Sequence, residues 1–320
     1  MGQVDLHVHS TASDGRLSPT EVIREAAGRG LQYIALADHD SVAGIAEAKA
    51  AAAGFAGLTV IPGIEISTDI PQGEVHMLGY FFDYTDPGLL AKLADFKNSR
   101  LKRAERMVGK LEGLGIPVEW RRVKELAGTS TIGRPHIAQA MLEKGYVPSF
   151  KEAFDNYLGH GKPAYVEREK MLPAEAAAII VKAGGLPVLA HPLTILEPEA
   201  MVRELLPAGL VGIEAYYNNY TPKTTQYLAS LAHKHALIAT GGSDFHGMDN
   251  ATETPIGGVA VPHAGVGRAA YSLYCLSIAG GSDDATRATG CRVLDQTHHT
   301  AGGVGCAPAT GRPDRPRAGD

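Results

Sequence analysis

Apolar and polar positions alternate at the start of the chain, with Val4, Leu6 and Val8 set against Asp5, His7 and His9. A period of two predicts a strand, and side chains two apart share a face, so His7 and His9 point the same way. Ser18-Pro19-Thr20-Glu21 carries the signals of a helix start. Ser18 is the N-cap, Pro19 lies in the first turn and Glu21 closes a capping box. The helix is expected to reach about Arg29, where Gly30 ends it. A short apolar run from Tyr33 to Ala37 predicts a buried strand, and the Ala-rich stretch from Val42 to Ala53 predicts a helix. Leu58 to Ser67 reads as a third strand, and the alternation from Glu74 to Phe81 as a fourth. This βαβα rhythm predicts an α/β fold, a mainly parallel sheet or barrel with helices outside.

The rhythm stops between about Leu89 and Val166, where helical periods rich in Lys, Arg and Glu run over Phe96–Glu112, Arg121–Ala127 and Pro135–Lys144. This stretch reads as an inserted helical subdomain. The sheet pattern then resumes with a helix over Pro173–Ala183, strands over Leu186–Ala190 and Leu210–Ala215, a helix over Thr221–Lys234 and a strand over Leu237–Thr240. Gly241-Gly242 follows and reads as a sharp backbone turn. After Pro262 the chain is rich in Gly, Ala, Thr and Arg without a sustained period. That composition predicts disorder, with at most a short helix from Gly267 to Ile278. The expected organisation is therefore 1–88 and 167–262 as two parts of one barrel, 89–166 as a helical insert capping the substrate, and 263–320 as a tail.

The formal net charge is -5 and the isoelectric point about 6.2. No global basic field exists, which argues against a sequence-reading DNA binder but leaves an enzyme that takes a nucleotide or an RNA end in a local pocket. Cys275, Cys291 and Cys306 fall in the tail and form no C-x-x-C pair, so neither a zinc ribbon nor a disulfide framework is supported. There is no run of about 18 apolar residues and no basic-then-apolar start, so no membrane span or signal peptide is expected. The expectation is a cytoplasmic protein with no obligate protein partner.

The chain has 13 histidines, and six of them cluster in motifs on or directly after apolar runs. His7, His9 and Asp14 follow the first strand, His39 lies between Asp38 and Asp40 after the second, and Glu65 and His76 lie on the third and fourth. His191 follows the next strand, and Asp244 and His246 the last. In parallel α/β barrels the carboxyl ends of the strands converge on one face, where catalytic groups gather. Titratable groups there are costly unless paired or metal-bound. One such residue has a bland explanation as a core histidine or a solvated turn; six such sites in register do not. A set of imidazoles and carboxylates without thiolates favours Mn, Zn or Fe. Nine candidate ligands exceed one tetrahedral ion, so two or three divalent ions are expected, with a carboxylate such as Glu65 able to bridge. Such a centre points to hydrolysis of a phosphoester by a metal-activated hydroxide.

Six short motifs carry a resemblance: Asp5-Leu6-His7-Val8-His9-Ser10, Ala37-Asp38-His39-Asp40, Pro62-Gly63-Ile64-Glu65, Val75-His76-Met77-Leu78-Gly79, Ala190-His191-Pro192 and Gly242-Ser243-Asp244-Phe245-His246. In this order, over about residues 3–262, the chain resembles the PHP (polymerase and histidinol phosphatase) superfamily of metal-dependent phosphoesterases. Thr131-Ile132-Gly133-Arg134-Pro135-His136-Ile137-Ala138 resembles the branch of 3′,5′-nucleoside bisphosphate phosphatases and the related 5′-3′ exoribonucleases. The resemblance implies a distorted (β/α)7 barrel with a trinuclear centre. By that resemblance His7, His9, Glu65 and Asp244 hold one ion, Glu65, His76 and His191 a second, and Asp14, His39 and His246 a third. Arg134 and His136 reach the substrate phosphate, where a planar guanidinium suits a bidentate contact. His191 or His246 assists the leaving group, the two roles not being separable in sequence.

Asp40 reads as substrate-binding or positioning rather than as a ligand. Lys162 and Tyr165 are weaker candidates for the pocket wall. The run Lys97, Arg100, Lys102, Arg103 and Arg106 reads as a solvated helix face, with steering of a polyanion as the alternative. The expected substrates are small nucleotides such as a nucleoside 3′,5′-bisphosphate, or the 5′ end of a short RNA. Histidinol phosphatase is the rival activity, against which the Gly133-Arg134-Pro135-His136 insert argues. A non-catalytic scaffold is the rival class, against which the intact ligand set argues.

Overall fold

The computed structural model describes residues 3–71, 73–128, 132–167, 171–248 and 253–262. The tail after Pro262, with its cysteines and expected short helix, and Thr131 of the insert motif lie outside the described residues. Among the described residues seven strands lie side by side in chain order: β1 (Val4–Val8), β2 (Tyr33–Leu36), β3 (Thr59–Ile70), β4 (Gly73–Tyr80), β5 (Leu186–Leu189), β6 (Gly212–Tyr217) and β7 (Ile238–Gly242). The Asp244 amide donates to the His7 carbonyl at 2.8 Å and the His9 amide to the Phe245 carbonyl at 2.9 Å. These bonds bring the segment after β7 back onto β1, so the sheet is a nearly closed, distorted (β/α)7 barrel.

The expectation of a mainly parallel sheet holds except around β4, which is antiparallel to both β3 and β5. β3 runs to Ile70, past the expected end at Ser67, and only Pro71 and Gln72 separate it from β4. A link that short makes a hairpin, because a parallel crossover needs a dozen residues or more. The hairpin sets Ser67 opposite His76 and Glu65 opposite Leu78, so Glu65 and His76 share one face.

Around the barrel lie α1 (Pro19–Gly28) and α2 (Ile45–Ala52). The insert contains α3 (Pro87–Gly113), α4 (Trp120–Ala127), α5 (Arg134–Glu143) and the short α6 (Phe150–Ala153), which continues into a π-helical turn over Phe154–Leu158. α7 (Pro173–Lys182), α8 (Pro198–Leu205) and α9 (Pro222–Lys234) complete the set. The capping box of α1 forms as read: the Glu21 amide reaches Ser18 Oγ, and the Ser18 amide donates to Glu21 Oε2 at 2.8 Å. α3 starts well before the expected Phe96, because Asp86 accepts from the Leu89 amide at 2.7 Å and Pro87 opens the first turn. α8 and α6 were not legible as periodic segments. Among the described residues no helix is long and apolar enough to cross a membrane.

The apolar side chains sort into layers. Val8, Ile34 and Leu36 pack outward with Val22, Ile23 and Ala48 of α1 and α2. Leu6, Ala35, Ile61, Leu78, Tyr80 and Val188 form a cluster that no helix enters, which places it inside the barrel. Met107, Leu111, Val123, Ile137, Met141 and Leu158 form a further cluster drawn from residues 104–166 alone. The insert thus supplies its own core.

Candidate active site

β1 does not keep a simple alternation. Its pairing with β2 shifts between Asp5 and Val8, so three steps on β1 oppose two on β2. Val4 and Leu6 lie in the inner cluster, whereas Val8 lies in the outer one. The bulge reverses the facing in mid-strand, and His7 and His9 end up inside as a pair, each fully buried. The shared facing expected for the two histidines is present, while that expected for Val4, Leu6 and Val8 is not.

Glu65 is the hub of the site. Its Oε1 lies 2.8 Å from His76 Nδ1 and 2.9 Å from His191 Nε2. Its Oε2 lies 3.0 Å from His39 Nδ1 and 3.4 Å from Nε2 of both His7 and His9. Asp244 Oδ1 approaches the same two nitrogens, at 3.3 Å from His7 and 3.0 Å from His9. Asp14 stands at the open side, 3.5 Å from His246 Nε2, 3.7 Å from His9 Nδ1 and 3.9 Å from His39 Nε2. All nine candidate ligands therefore converge, although they come from strands and strand exits spread over almost the whole described chain.

Three groups of donor atoms lie within 4.8 Å of one another: His7, His9, Glu65 and Asp244; His9, Asp14, His39 and His246; and His39, Glu65 and His76. The first matches the expected first set, and the second is the expected third set with His9 added. In the last, His39 stands where His191 was expected, while His191 shares the Glu65 oxygen with His76 from the other side. Several donors are buried with no hydrogen-bond partner: His7 Nε2, both ring nitrogens of His9, His39 Nδ1, Glu65 Oε2 and His191 Nδ1. Unsatisfied buried polar atoms are costly and rare. Ser243 Oγ is also buried without a partner, but the rest are imidazole or carboxylate atoms, and His7 Nε2, His9 Nε2, His39 Nδ1 and Glu65 Oε2 lie within one cluster, which is what divalent cations fit.

The charges follow the same geometry. Burial disfavours the charged form of His7, but Asp244, Glu214 and Glu65 outweigh it and hold its pKa well above the ordinary histidine value. Burial lowers His9, and pushes His39 down to about 4. Burial opposes the charge on Glu65, yet His39, His76 and His7 hold its carboxyl well below the usual range. Asp244 is likewise held low, burial being overcome by His7 and His9.

The backbone at the rim is strained. Asp40, His191 and Asp244 all have positive φ, at 49°, 23° and 53°. Such conformations in non-glycine residues cluster at functional sites, where the surroundings hold them in place. Asp38 braces the exit of β1. Its carboxylate accepts from the Ser10 amide and hydroxyl, each at 2.8 Å, and from the Ser13 hydroxyl at 2.7 Å. Burial raises its carboxyl to about 6 despite these donors. Asp40 accepts from the Ser67 amide at 3.0 Å and pairs with Arg100 of α3. The expected solvated face of α3 thus sends one arginine inward, to the loop that carries His39.

Gly241 and Gly242 serve close approach rather than a turn, since neither has a positive φ. A Cβ on Gly241 would lie 2.1 Å from the Tyr216 carbonyl oxygen, and one on Gly242 2.4 Å from the His7 nitrogen. The tight fit at Gly241 follows from a second bulge: Glu214 and Tyr216 oppose Thr240 and Gly241, leaving Ala215 extra. It lets Glu214 and Tyr217, three apart, both reach the site. Glu214 Oε1 lies 3.0 Å from His7 Nδ1, and Tyr217 donates to Asp244 Oδ2 at 2.6 Å. Sequence reading missed both. A carboxylate in the apolar run Leu210–Ala215 was a usable signal for Glu214; nothing in sequence pointed to Tyr217.

Arg134 opens α5, with its Nη2 3.7 Å from Glu74 of β4 and its guanidinium 5.5 Å from the Phe154 ring centroid. Glu74 and His76 share a face of β4, so Arg134 stands beside the His76 end of the cluster. His136 Nδ1 accepts from the Gly133 amide at 3.0 Å, which leaves Nε2–H as its free donor. Burial lowers the His136 pKa, against the opposing charge of Asp14. Tyr165 is engaged within the insert, under the Arg103 guanidinium at 5.2 Å and with its carbonyl accepting from Lys110.

Comparison with known proteins agrees with this geometry. A family model described as the PHP domain matches residues 5–106. The 3′,5′-nucleoside bisphosphate phosphatase of Chromobacterium violaceum is 37% identical over 258 residues, covering 77% of this chain and 88% of that protein. A 5′-3′ exoribonuclease of Haemophilus influenzae is 40% identical over 246 residues, covering 76% of this chain and 89% of its own length. The solved structure of a candidate metal-dependent phosphoesterase from Bifidobacterium adolescentis superposes with a TM-score of 0.70 at 30% identity, covering 83% of this chain and 94% of that one. With its barrel, its strand-end histidines and carboxylates and these near full-length relatives, the chain belongs to the PHP family.

Proposed function

We propose that this PHP protein is a metal-dependent phosphoesterase that releases phosphate from small nucleotides, a nucleoside 3′,5′-bisphosphate first among them, or trims the 5′ end of a short RNA. One observation carries the reading: buried imidazole and carboxylate atoms without partners belong to donor groups that overlap at His9, His39 and Glu65. His7, His9, Glu65 and Asp244 would hold one ion, Glu65, His76 and His191 a second, and Asp14, His39 and His246 a third. The donor set fits Mn, Zn or Fe. Divalent ions there would acidify a bound water and polarise the phosphoryl group.

The protein's own groups do the rest. A substrate phosphate competes with Glu74 for Arg134, whose planar guanidinium takes two phosphate oxygens at once. His136 adds the Nε2–H donor. Water adds across the P–O bond, and the leaving oxygen takes a proton. Of the two candidate donors His246 is the more open, with side-chain exposures of 20% against 11% for His191, and it would supply that proton only in a state where it does not hold the third ion. The insert forms a wall beside the site, which favours small or end-bound substrates over the interior of a duplex. Relatives named as a nucleoside bisphosphate phosphatase and as an exoribonuclease support the nucleotide class.

The test is phosphate release from 3′,5′-adenosine bisphosphate, AMP, histidinol phosphate and a 5′-phosphorylated short RNA, with added Mn and with chelator. Chelator-sensitive release from the bisphosphate, or stepwise shortening of the RNA, is expected. Release from histidinol phosphate alone would replace the substrate class, and no release from a metal-loaded protein would favour a scaffold.

A further inference from the structure

Glu214 is fully buried on β6 and uses both carboxylate oxygens. Oε1 lies 3.0 Å from His7 Nδ1, and Oε2 accepts from the His191 backbone amide at 2.8 Å. His7 is fully buried, with Nε2 aimed at Glu65 and Asp244. His191 is the residue whose backbone is held at a φ of 23°. One carboxylate therefore touches the side chain of one candidate ligand and the strained backbone of another, 184 positions apart in sequence. It faces inward by the regular alternation of β6, between Ile213 and Ala215 of the outer core and just ahead of the bulge.

We propose that Glu214 is a positioning residue for the metal centre. It takes the proton of His7 on Nδ1, so that Nε2 presents its lone pair inward, and it pins the strand exit that carries His191. The inference rests on the metal-dependent reading above. The chemistry is general: a ligating imidazole is oriented by the acceptor on its other nitrogen. Glu214 has no free oxygen of its own for an ion, since both are spent on these two donors.

Glu214→Gln separates positioning from mere support. The amide has one acceptor where the carboxylate has two. A backbone N–H cannot become an acceptor, so the amide oxygen stays with His191 and the NH2 group turns to His7. His7 can accept only by moving its proton to Nε2, the atom it would offer to a metal. The experiment uses the full chain, stripped and titrated with Mn while phosphate release is followed. The expected result is a rise of about 10–100-fold in the Mn concentration for half-activation. The substrate KM at saturating Mn is expected to stay near that of the wild type. An unchanged half-activation concentration overturns the proposal, whether the maximal rate falls, as a purely structural role would have it, or does not.

A second measurement needs no variant. In the zinc-loaded, ¹⁵N-histidine-labelled wild type, His7 is expected to show a slowly exchanging Nδ1–H. A bare Nδ1 on His7 would overturn the proposal even if Glu214→Gln failed to fold. A wild type that takes up no Mn or Zn removes the metal reading itself, and this inference with it, which distinguishes that failure from a defect confined to Glu214.

Discussion

Replacing Gly242 with alanine would place a methyl carbon 2.4 Å from the backbone nitrogen of His7, 2.5 Å from its Cβ and 2.8 Å from Asp5 Oδ1. Carbon contacts are comfortable at about 3.5–4.0 Å, so β1 and the end of β7 must part by roughly 1 Å. The strands are stitched at this point by Ser243 N to Asp5 Oδ1 at 2.9 Å and Asp244 N to His7 O at 2.8 Å. Overpacking of this kind costs about 1–3 kcal/mol, or more where backbone is the obstacle. For a domain of this size each kcal/mol lowers Tm by about 2–4 °C, so a fall of roughly 2–12 °C is expected. The same displacement moves His7 and His9 away from Asp244, and misplacement by about 1 Å costs on the order of 100-fold in turnover. The assay pairs thermal melting with phosphate release at saturating Mn. Gly109→Ala is the control, because its Cβ would meet nothing within 4 Å on α3 and the change should be neutral or stabilising by up to about 1 kcal/mol. A Gly242→Ala protein with wild-type melting and turnover would refute the claim that this contact sets the spacing of the ligands.

Tyr217→Phe removes the 2.6 Å bond to Asp244 Oδ2 and should weaken metal binding or turnover by about 10–100-fold without unfolding the protein, read by Mn titration and circular dichroism. Arg100→Ala should cost about 1–3 kcal/mol, and a double-mutant cycle with Asp40→Asn should show coupling of about 0.5–3 kcal/mol; additive effects would deny that α3 is tied to the His39 loop. Metal uptake should release protons. Metal-free His7 has its pKa held well above the ordinary value, so at pH 7 the ring is charged and must become neutral to ligate, whereas His39, at about 4, is already neutral. Glu65 also raises His76 against burial, so affinity should rise by at least about tenfold per pH unit up to the His7 pKa and fall as pH drops, and calorimetry in buffers of different ionisation enthalpy should show at least one proton released. Buffer-independent heats would contradict that assignment.

What sequence made legible here was the chemistry at strand ends. An imidazole or carboxylate directly after an apolar run needs only the barrel topology to find its partners, and His191 and Asp244 met on that ground, whereas Glu65 and His76 lie within β3 and β4 and share a face through the antiparallel hairpin that the parallel expectation did not contain. Facing within a strand was less legible. Alternation in β1 gave the right answer for His7 and His9 but not for Val8, because a bulge is a backbone event with no side-chain signature. The β6 bulge hid Tyr217 in the same way, since a residue three positions from Glu214 should point to the other side. Arg100 was illegible for a different reason. Its helical spacing matched an exposed face, and only the docking of α3 shows which member of that face turns inward. Gly241-Gly242 was recognised as special but for the wrong cause, as glycine answers both to turns and to crowding, and only coordinates tell them apart.

The most direct test of the metal-centred phosphoesterase is to strip the wild type and Asp244→Asn with chelator, return Mn stepwise, and follow bound metal and phosphate release from 3′,5′-adenosine bisphosphate together. Release should vanish on stripping and return in step with metal occupancy in the wild type. Asp244→Asn should stay folded and not turn over. Release that persists undiminished in the stripped protein, or survives in Asp244→Asn, would contradict the metal centre as the seat of catalysis.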